Sequence, residues 1–525
     1  MFFSRKKNIG IGLSEGYNPN YVGTICKIDN LSKVEGADKL QKTVINGYDV
    51  IADMSYNIGD IVVYFGAETV ICEDFLSKNN LYSWTDRKLN SNYDTIDYFE
   101  NSASEIEDTN PSVAKIYKEK AKSLCGFFGK AGRVKVIRLR GQFSNGFLVK
   151  VDTMNDFLGF NLNWVDMVGE TFDTINGKLF CWKYIPPIKE MPVKSNDSRW
   201  TKWMKKLKKY GRIIPGQFEF HYVTKKLNEN MYYFKPEDEI TITTKVHGTS
   251  GVFSNVLCNK KLKWWQKILK KCGVKYDLIE YDNIYSSRTS IKNRDINPNA
   301  QDYYENDVWG DVNTFLKPYI SEGMTVYGEI VGYITNTEEM IQKPNFDYGC
   351  EVGKWKFMPY RITETDENTN KIEWDVTKVN EWTKSIMDIS EENSDKLMLM
   401  EILYTGRFMD LYPDIDVHNH WNQNVLERMK TDKDNFLMEE PEPLCKLGWD
   451  KYNEVLEKYK DADPNDIKAQ KKIADAKSKV PPREGIVIRR VNDIYACAFK
   501  LKTDVFYELE KKLNDNGEVS IEDVN

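Results

Sequence analysis

Short runs of alternating apolar and polar residues, each cut off at a glycine, recur along this chain and constrain its fold more than any other feature. TVINGYDVIADM, GDIVVYFGAE, GRVKVIRLRGQFSNGFLV, ITITTKVHGTSGVF, GIVIRR and ACAFKLK all follow this pattern. Alternation with a period of two marks half-buried strands, and Asn-Gly between two such runs marks a tight hairpin. A chain built this way predicts antiparallel sheets, and the charged, Leu-containing stretches between the runs predict helices. The expected class is therefore α+β.

The runs divide the chain unevenly. Residues 1–190 read as mostly β, with strands short enough for a small barrel, interrupted by a polar stretch at about 86–122 that turns helical toward its end. Residues 191–235 read as a basic linker. Residues 236–510 read as a second β-rich unit with two interruptions, a basic helix at 260–275 and a long, mainly helical insert at about 376–480. Residues 511–525 read as an acidic tail.

With 525 residues, 41% hydrophobic and 13% aromatic, the chain is long enough for several cores and far from the composition of a disordered one. The net charge of −6 excludes a uniformly basic surface, so nucleic-acid binding would rest on local patches. Two segments fit that description. Arg199 to Arg212 mixes five lysines and two arginines with Trp200 and Trp203, and Lys260 to Lys275 sets Trp264 and Trp265 among lysines. A solvated helix face would look the same. No apolar run approaches the roughly 20 residues of a membrane span, and the opening MFFSRKKNIGIGL lacks the apolar stretch of a signal peptide. The nine cysteines show no CxxC spacing, which argues against a zinc site or a disulfide framework and for a reducing, cytoplasmic setting. High Asn, Lys and Tyr usage fits an AT-rich genome such as that of a large phage, with the host cytoplasm as the setting.

Four places carry chemistry. Lys245 follows the apolar-alternating run ITITT and precedes Val246, His247 and Gly248. A lysine at a strand end is held firmly, and a glycine lets a ligand approach the backbone; such an amine attacks phosphate only when uncharged. Glu329 sits inside the apolar strand VYGEIVG, where a carboxylate needs a ribose hydroxyl, a metal or a cation beside it. Glu484 leads into the apolar run GIVIRR. Lys500 and Lys502 lie two apart, on one face of a strand, and repel each other unless an anion lies against them. Taken singly, a strand-end salt bridge or a solvated lysine explains each of these.

Taken in order, the segments resemble the six nucleotidyltransferase motifs of polynucleotide ligases and capping enzymes. KVHGTS at Lys245 resembles motif I, Ser286-Ser287-Arg288 motif Ia, YGEIVG motif III, KFMPYRI at Lys356 motif IIIa, REGIVIR motif IV and FKLK motif V. The histidine in motif I is similar to RNA ligases. Gly36 to Leu40, NGYDVIADMSYNIGDIVVYF and RLRGQFSNG at Arg138 resemble the amino-terminal oligonucleotide-binding domain of the Deinococcus-type, or fifth, RNA ligase family. Thr244 departs from the glutamate that relatives often carry before the lysine, and the span from Glu329 to Glu484 is longer than the family pattern.

The resemblance implies an ATP-dependent RNA ligase that carries AMP on Lys245, passes it to an RNA 5′-phosphate and joins that end to a 3′-OH, in RNA repair. Mixed RNA/DNA nicks are a further possible substrate. It implies Mg2+ or Mn2+ held through Glu329 and Glu484, a phosphate grip from Lys500 and Lys502, a ribose or phosphate contact from Arg288, and adenine stacked on Phe357. Thr244, Val246, His247 and Gly248 line the nucleotide in this picture. A DNA ligase, a guanylyltransferase that caps RNA, and an inactive nucleic-acid-binding protein are the competing expectations.

Overall fold

The computed structural model describes residues 10–186, 212–263, 265–266, 268, 272, 278–294, 296–297, 306–433, 438, 441–491 and 498–516. All of the basic segment Arg199 to Arg212 except Arg212, and half of Lys260 to Lys275, lie outside the described residues, as does 517–525 of the expected acidic tail. The chain divides into two compact units. Residues up to Pro186, joined by Tyr507–Asn516, form one, and the chain from Pro187 to Phe506 forms the bulk of the other. Among the described residues no helix is long and apolar enough to cross a membrane.

The amino-terminal unit has the expected short strands. Leu40–Ile45 and Tyr48–Asp53 alternate buried and half-buried positions and are joined through Asn46 and Gly47, both at positive φ, as a twisted Asn-Gly hairpin requires. A four-stranded sheet runs in the order Phe147–Lys150, Ile61–Phe65, Gly23–Lys27, Thr171–Phe172, over a core that includes Phe65, Phe75, Phe172 and Phe180. The polar stretch forms two helices, Tyr93–Ile106 and Pro111–Ser123, the second capped by Asn110, whose side chain accepts the Val113 N–H at 3.3 Å. Among the described residues the backbone pairing does not close into the expected barrel. Strands of two to six residues break it into separate sheets, so pairing stops before it can run round. Tyr507–Asn516 docks through charge: Arg133 pairs with Glu68 at 2.5 Å and Asp515 at 3.0 Å, and Asn514 donates to Glu68 at 2.8 Å.

Among its described residues the larger unit contains two five-stranded sheets. The first runs Lys225–Lys226, Ala498–Lys502, Gly485–Arg490, Glu239–Lys245, Ile402–Arg407; all its pairings are antiparallel except that of Lys225–Lys226. The second runs Ile279–Ser286, Thr249–Asn259, Met324–Gly332, Trp355–Thr365, Lys371–Glu373, antiparallel throughout. The first sheet buries one face in a core, and the second packs both of its faces, with Val252, Val256, Ile284 and Tyr327 on the side opposite Phe253 and Val326. Ile240, Ile242, Ile486, Ile488, Phe499 and Leu501 share one core, and Phe253, Trp309, Val326, Ile330, Phe357 and Ile362 another. Burying each such side chain contributes about 1.5–3 kcal/mol. This is the mixed, antiparallel-sheet class read from the sequence.

Two boundaries differ from the sequence reading. The described end of the expected linker is part of this unit: Arg212 pairs with Glu280 and Asp282, Phe218 is buried, and Lys225–Lys226 is a sheet strand. The 376–480 stretch is mainly helical, but it returns midway to place Ile402–Arg407 beside the strand that carries Lys245. It therefore completes the first sheet.

Candidate active site

Strand alternation builds the site. With Ile240 and Ile242 committed to the core, Thr243 and Lys245 must face the other way. The same rule turns Val487 and Arg489 away from Ile486 and Ile488, and Lys500 away from Phe499 and Leu501. The second sheet contributes Ser250, Glu329, Met358 and Tyr360. Between the two sets lies an open pocket that Thr244, Val246 and Arg288 also line. Six of the residues singled out in the sequence thus meet here: Thr244, Lys245, Val246, Arg288, Glu329 and Lys500.

The carboxylate of Glu484 organises the charges beside this pocket. Its side chain is 3% exposed, with Lys245 Nζ 2.9 Å from Oε2, Lys502 Nζ 3.1 Å from Oε1 and His247 Nδ1 3.6 Å from Oε2. Burial pushes this carboxyl up, but Lys245, Lys502 and His247 together hold it well below the usual carboxylate range. The preceding Arg483 is buried between Glu401 at 3.2 Å and Glu442 at 3.7 Å, which fixes the start of the strand. Gly485 has φ +144 and stands so close to Leu501 that a Cβ would lie 2.0 Å from its carbonyl oxygen. Only glycine allows the chain to turn from Glu484 into its strand there.

Lys500 faces the pocket with few counter-charges. Burial pushes its ammonium well below the usual lysine range, Lys502, Lys245 and Arg288 push the same way, and Glu484 pulls back. His221 packs its ring on Tyr222, Tyr360 and Tyr327 at centroid distances of 4.6, 5.1 and 5.7 Å. Burial, then the charges of Arg361, Arg288, Arg489 and Lys245, hold this imidazole well below its usual range, so it is a neutral polar group in the pocket wall.

Phe357 is not at the pocket. It is fully buried in the core of the second sheet, edge-on to Phe253 at 5.1 Å. The pairing register slips between Tyr327 and Gly328, leaving Tyr360 as an extra residue on its strand. This bulge lets Met358 and Tyr360 line the pocket while Phe357 and Ile362 stay in the core. His247, Glu484 and Lys502 form the charged group beside the pocket, and Gly248 lies in the turn behind it, where a Cβ would meet the Ile330 carbonyl oxygen at 2.5 Å.

Ser250, Met358, Tyr360, Val487 and Arg489 reach the pocket from within the motif segments, though none was singled out there. His221, Thr224 and Met400 come from stretches read as linker or insert and gave no signal.

A divalent cation fits this donor set in one restricted way. Among the described residues no group of three or more His, Cys, Asp or Glu could hold a metal. Both oxygens of Glu484 face cationic side chains, which disfavours it as a metal ligand, whereas Glu329 presents a carboxylate to the pocket. One carboxylate plus phosphate oxygens and water is a usual set for Mg2+.

No family model matches the sequence, and no curated protein matches it. Among solved structures the chain is similar to Naegleria gruberi RNA ligase. A lysine-to-alanine mutant of that ligase with ATP and Mn gives a TM-score of 0.48 at 13% identity, over 93% of this chain and 98% of that one. A glutamate-to-alanine mutant with AMP and Mn, and the ligase with PPi, each give 0.47 at 13% identity over the same shares.

Proposed function

We propose that this protein is an ATP-dependent RNA ligase working through a lysyl-AMP at Lys245. The observation that carries the proposal is the convergence of Lys245, Lys500, Arg288 and Glu329 on one pocket, with Lys245 held 2.9 Å from a carboxylate that also holds Lys502. That many cations around one cleft suit a polyphosphate. The choice of RNA rests on the motif order, the motif I histidine and the amino-terminal segments.

In the first step the Lys245 amine attacks the α-phosphorus of ATP. An N–P bond forms, the P–O bond to pyrophosphate breaks, and one amine proton leaves to water. The positive neighbours of Lys245 work against a charge on its amine, while Glu484 works for one. Phosphates settling against Lys500 and Lys502 draw those cations to themselves. Lys500, Arg288 and Arg489 meet the charge that develops on the phosphate. Tyr360 and Met358 offer the base a flat and an apolar surface, a role that the buried Phe357 cannot fill. Mg2+ or Mn2+, when bound through Glu329 and phosphate oxygens, supplies neutralisation of phosphate charge.

In the second step an RNA 5′-phosphate oxygen attacks the lysyl-AMP phosphorus, the P–N bond breaks and Lys245 recovers its amine. In the third, an RNA 3′-OH attacks the activated 5′-phosphate, a phosphodiester forms and AMP leaves.

Incubation with α-labelled ATP and Mg2+ or Mn2+ tests the first step. The wild type should yield a labelled covalent adduct and Lys245→Ala none. Absence of label with both ATP and GTP would sink the proposal in favour of a nucleic-acid-binding protein without this activity. Label from GTP only would make it a capping guanylyltransferase. Sealing of a nicked RNA duplex, compared with matched DNA and mixed nicks, then tests the substrate; sealing of DNA alone would replace RNA ligase with DNA ligase.

A further inference from the structure

The connection between the strands Met324–Gly332 and Trp355–Thr365 belongs to none of the six motifs, yet it grips the turn that follows Lys245. Tyr348 Oη accepts the His247 backbone N–H at 2.8 Å. Gln342 Nε2 donates to the Gly248 carbonyl at 2.7 Å. The Phe346 ring meets the His247 ring edge-on at 4.8 Å, and Phe506 meets it on another side at 5.0 Å. Gln342, Phe346 and Tyr348 are all buried.

The connection is itself braced. At its base, Ile341 N–H donates to the Gly332 carbonyl at 2.9 Å, and Tyr333 N–H to the Lys354 carbonyl at 2.9 Å. From the helical stretch, the Leu447 N–H donates to Asp347 Oδ2 at 3.2 Å, and Asn345 Nδ2 donates to the Lys479 carbonyl at 3.1 Å. Asn345 and Tyr348 both sit at positive φ, a conformation that a non-glycine residue holds only where its surroundings fix it.

We infer that Gln342, Phe346 and Tyr348 form a positioning clamp for the nucleophile, setting where Lys245 and His247 stand against Glu484. This rests on the proposed lysyl-AMP chemistry. The clamp fixes two consecutive residues of the turn at three points: the amide and ring of His247 and the carbonyl of Gly248. Lys245 is two residues upstream, and His247 shares Glu484 Oε2 with it. The residues of 441–480 that brace the clamp then serve the nucleophile indirectly, which gives that long stretch a task. An attacking amine displaced by about 1 Å loses on the order of 100-fold in rate while the nucleotide still binds. None of the clamp residues lines the pocket, so they act through the turn and not on ATP.

The test uses the full chain and three variants: Tyr348→Phe, which removes one oxygen and keeps the ring; Gln342→Met, which keeps the length and removes the donor; and Phe346→Leu. Single-turnover adduct formation from α-labelled ATP is measured over a range of ATP concentrations, alongside the thermal midpoint. Tyr348→Phe and Gln342→Met are expected to lower the maximal rate about 10- to 100-fold with half-saturating ATP changed less than about threefold and the fold intact. A maximal rate within about twofold of wild type in both would overturn the clamp, as would a loss confined to half-saturating ATP. Should Tyr348→Phe unfold, Gln342→Met decides alone. Absence of an adduct from the wild type is a different result: it overturns the adenylyl-transfer reading, and the clamp with it.

Discussion

At the scale of residues, the molecule spends most on Glu484. A carboxylate 3% exposed would be costly to bury alone, and Lys245 and Lys502, with the His247 ring beside them, offset that cost. Lys500 is the counterpart, a buried ammonium with more like than unlike charge around it. Its depressed pKa means that, between the folded and unfolded values, the unfolded chain binds more protons, so this group's contribution to stability rises with pH across that window. A phosphate placed against Lys500 reverses the balance and favours the charged form. Binding of ATP at about pH 9 should therefore be accompanied by net proton uptake, and affinity should weaken as pH rises further. Calorimetry in two buffers of different ionisation enthalpy reads this directly. Uptake should shrink in Lys500→Gln; equal uptake in both proteins would show that another group takes the proton.

At the scale of elements, the strand Trp355–Thr365 makes the sharpest prediction. Alternation puts Phe357 and Tyr360, three positions apart, on opposite faces, and the bulge at Tyr360 then returns Ile362 to the core side. Phe357→Ala should lower stability by about 3–5 kcal/mol, since it empties a packed site beside Phe253. Tyr360→Leu should leave stability within about 1 kcal/mol and weaken ATP binding several-fold. Thermal melts and an ATP titration on both variants check the split; weaker ATP binding in the first with unchanged stability would reverse the assignment. The same strand shows what was legible in the sequence. Alternation around Lys245, Glu484 and Lys500 announced which side chains leave the core, because period two is a property of any strand. The assignment of Phe357 to the base rests on its motif and not on alternation, and a bulge changes the phase of a strand without changing its composition. Ile402–Arg407 was hidden because its exposure pattern is that of an edge strand within a charged stretch. His221 and Thr224 reach the pocket only through tertiary contacts, which leave no periodic trace.

At the scale of the whole molecule, the division into units does not follow the order of the chain. Tyr507–Asn516 clusters with residues that precede Pro186. Arg133, its side chain 2% exposed, depends on Asp515 as well as Glu68, and Glu68 depends on Asn514. Ending the chain after Phe506 should expose a buried guanidinium–carboxylate pair and destabilise the amino-terminal unit by about 1–3 kcal/mol. Calorimetry or limited proteolysis within residues 10–186 measures this. Unchanged protection would mean that Glu68 and Arg133 suffice for each other.

The neighbours of the Lys245 strand carry a consequence for synthesis. The Thr243 hydroxyl donates to the Val487 carbonyl, a partner 244 residues further along the chain. A ribosome adding about 5–20 residues per second takes about 10–50 s to cover that distance. During this interval the strand that carries Lys245 has neither Gly485–Arg490 nor Lys500 beside it, and the edge that Gly485–Arg490 later covers stands open. A nascent chain therefore holds Lys245, the proposed nucleophile, long before it holds the pocket. On the proposed chemistry competence arrives in one late event, when the last two strands emerge and join the first, and a chain cut short before them should form no labelled adduct with ATP.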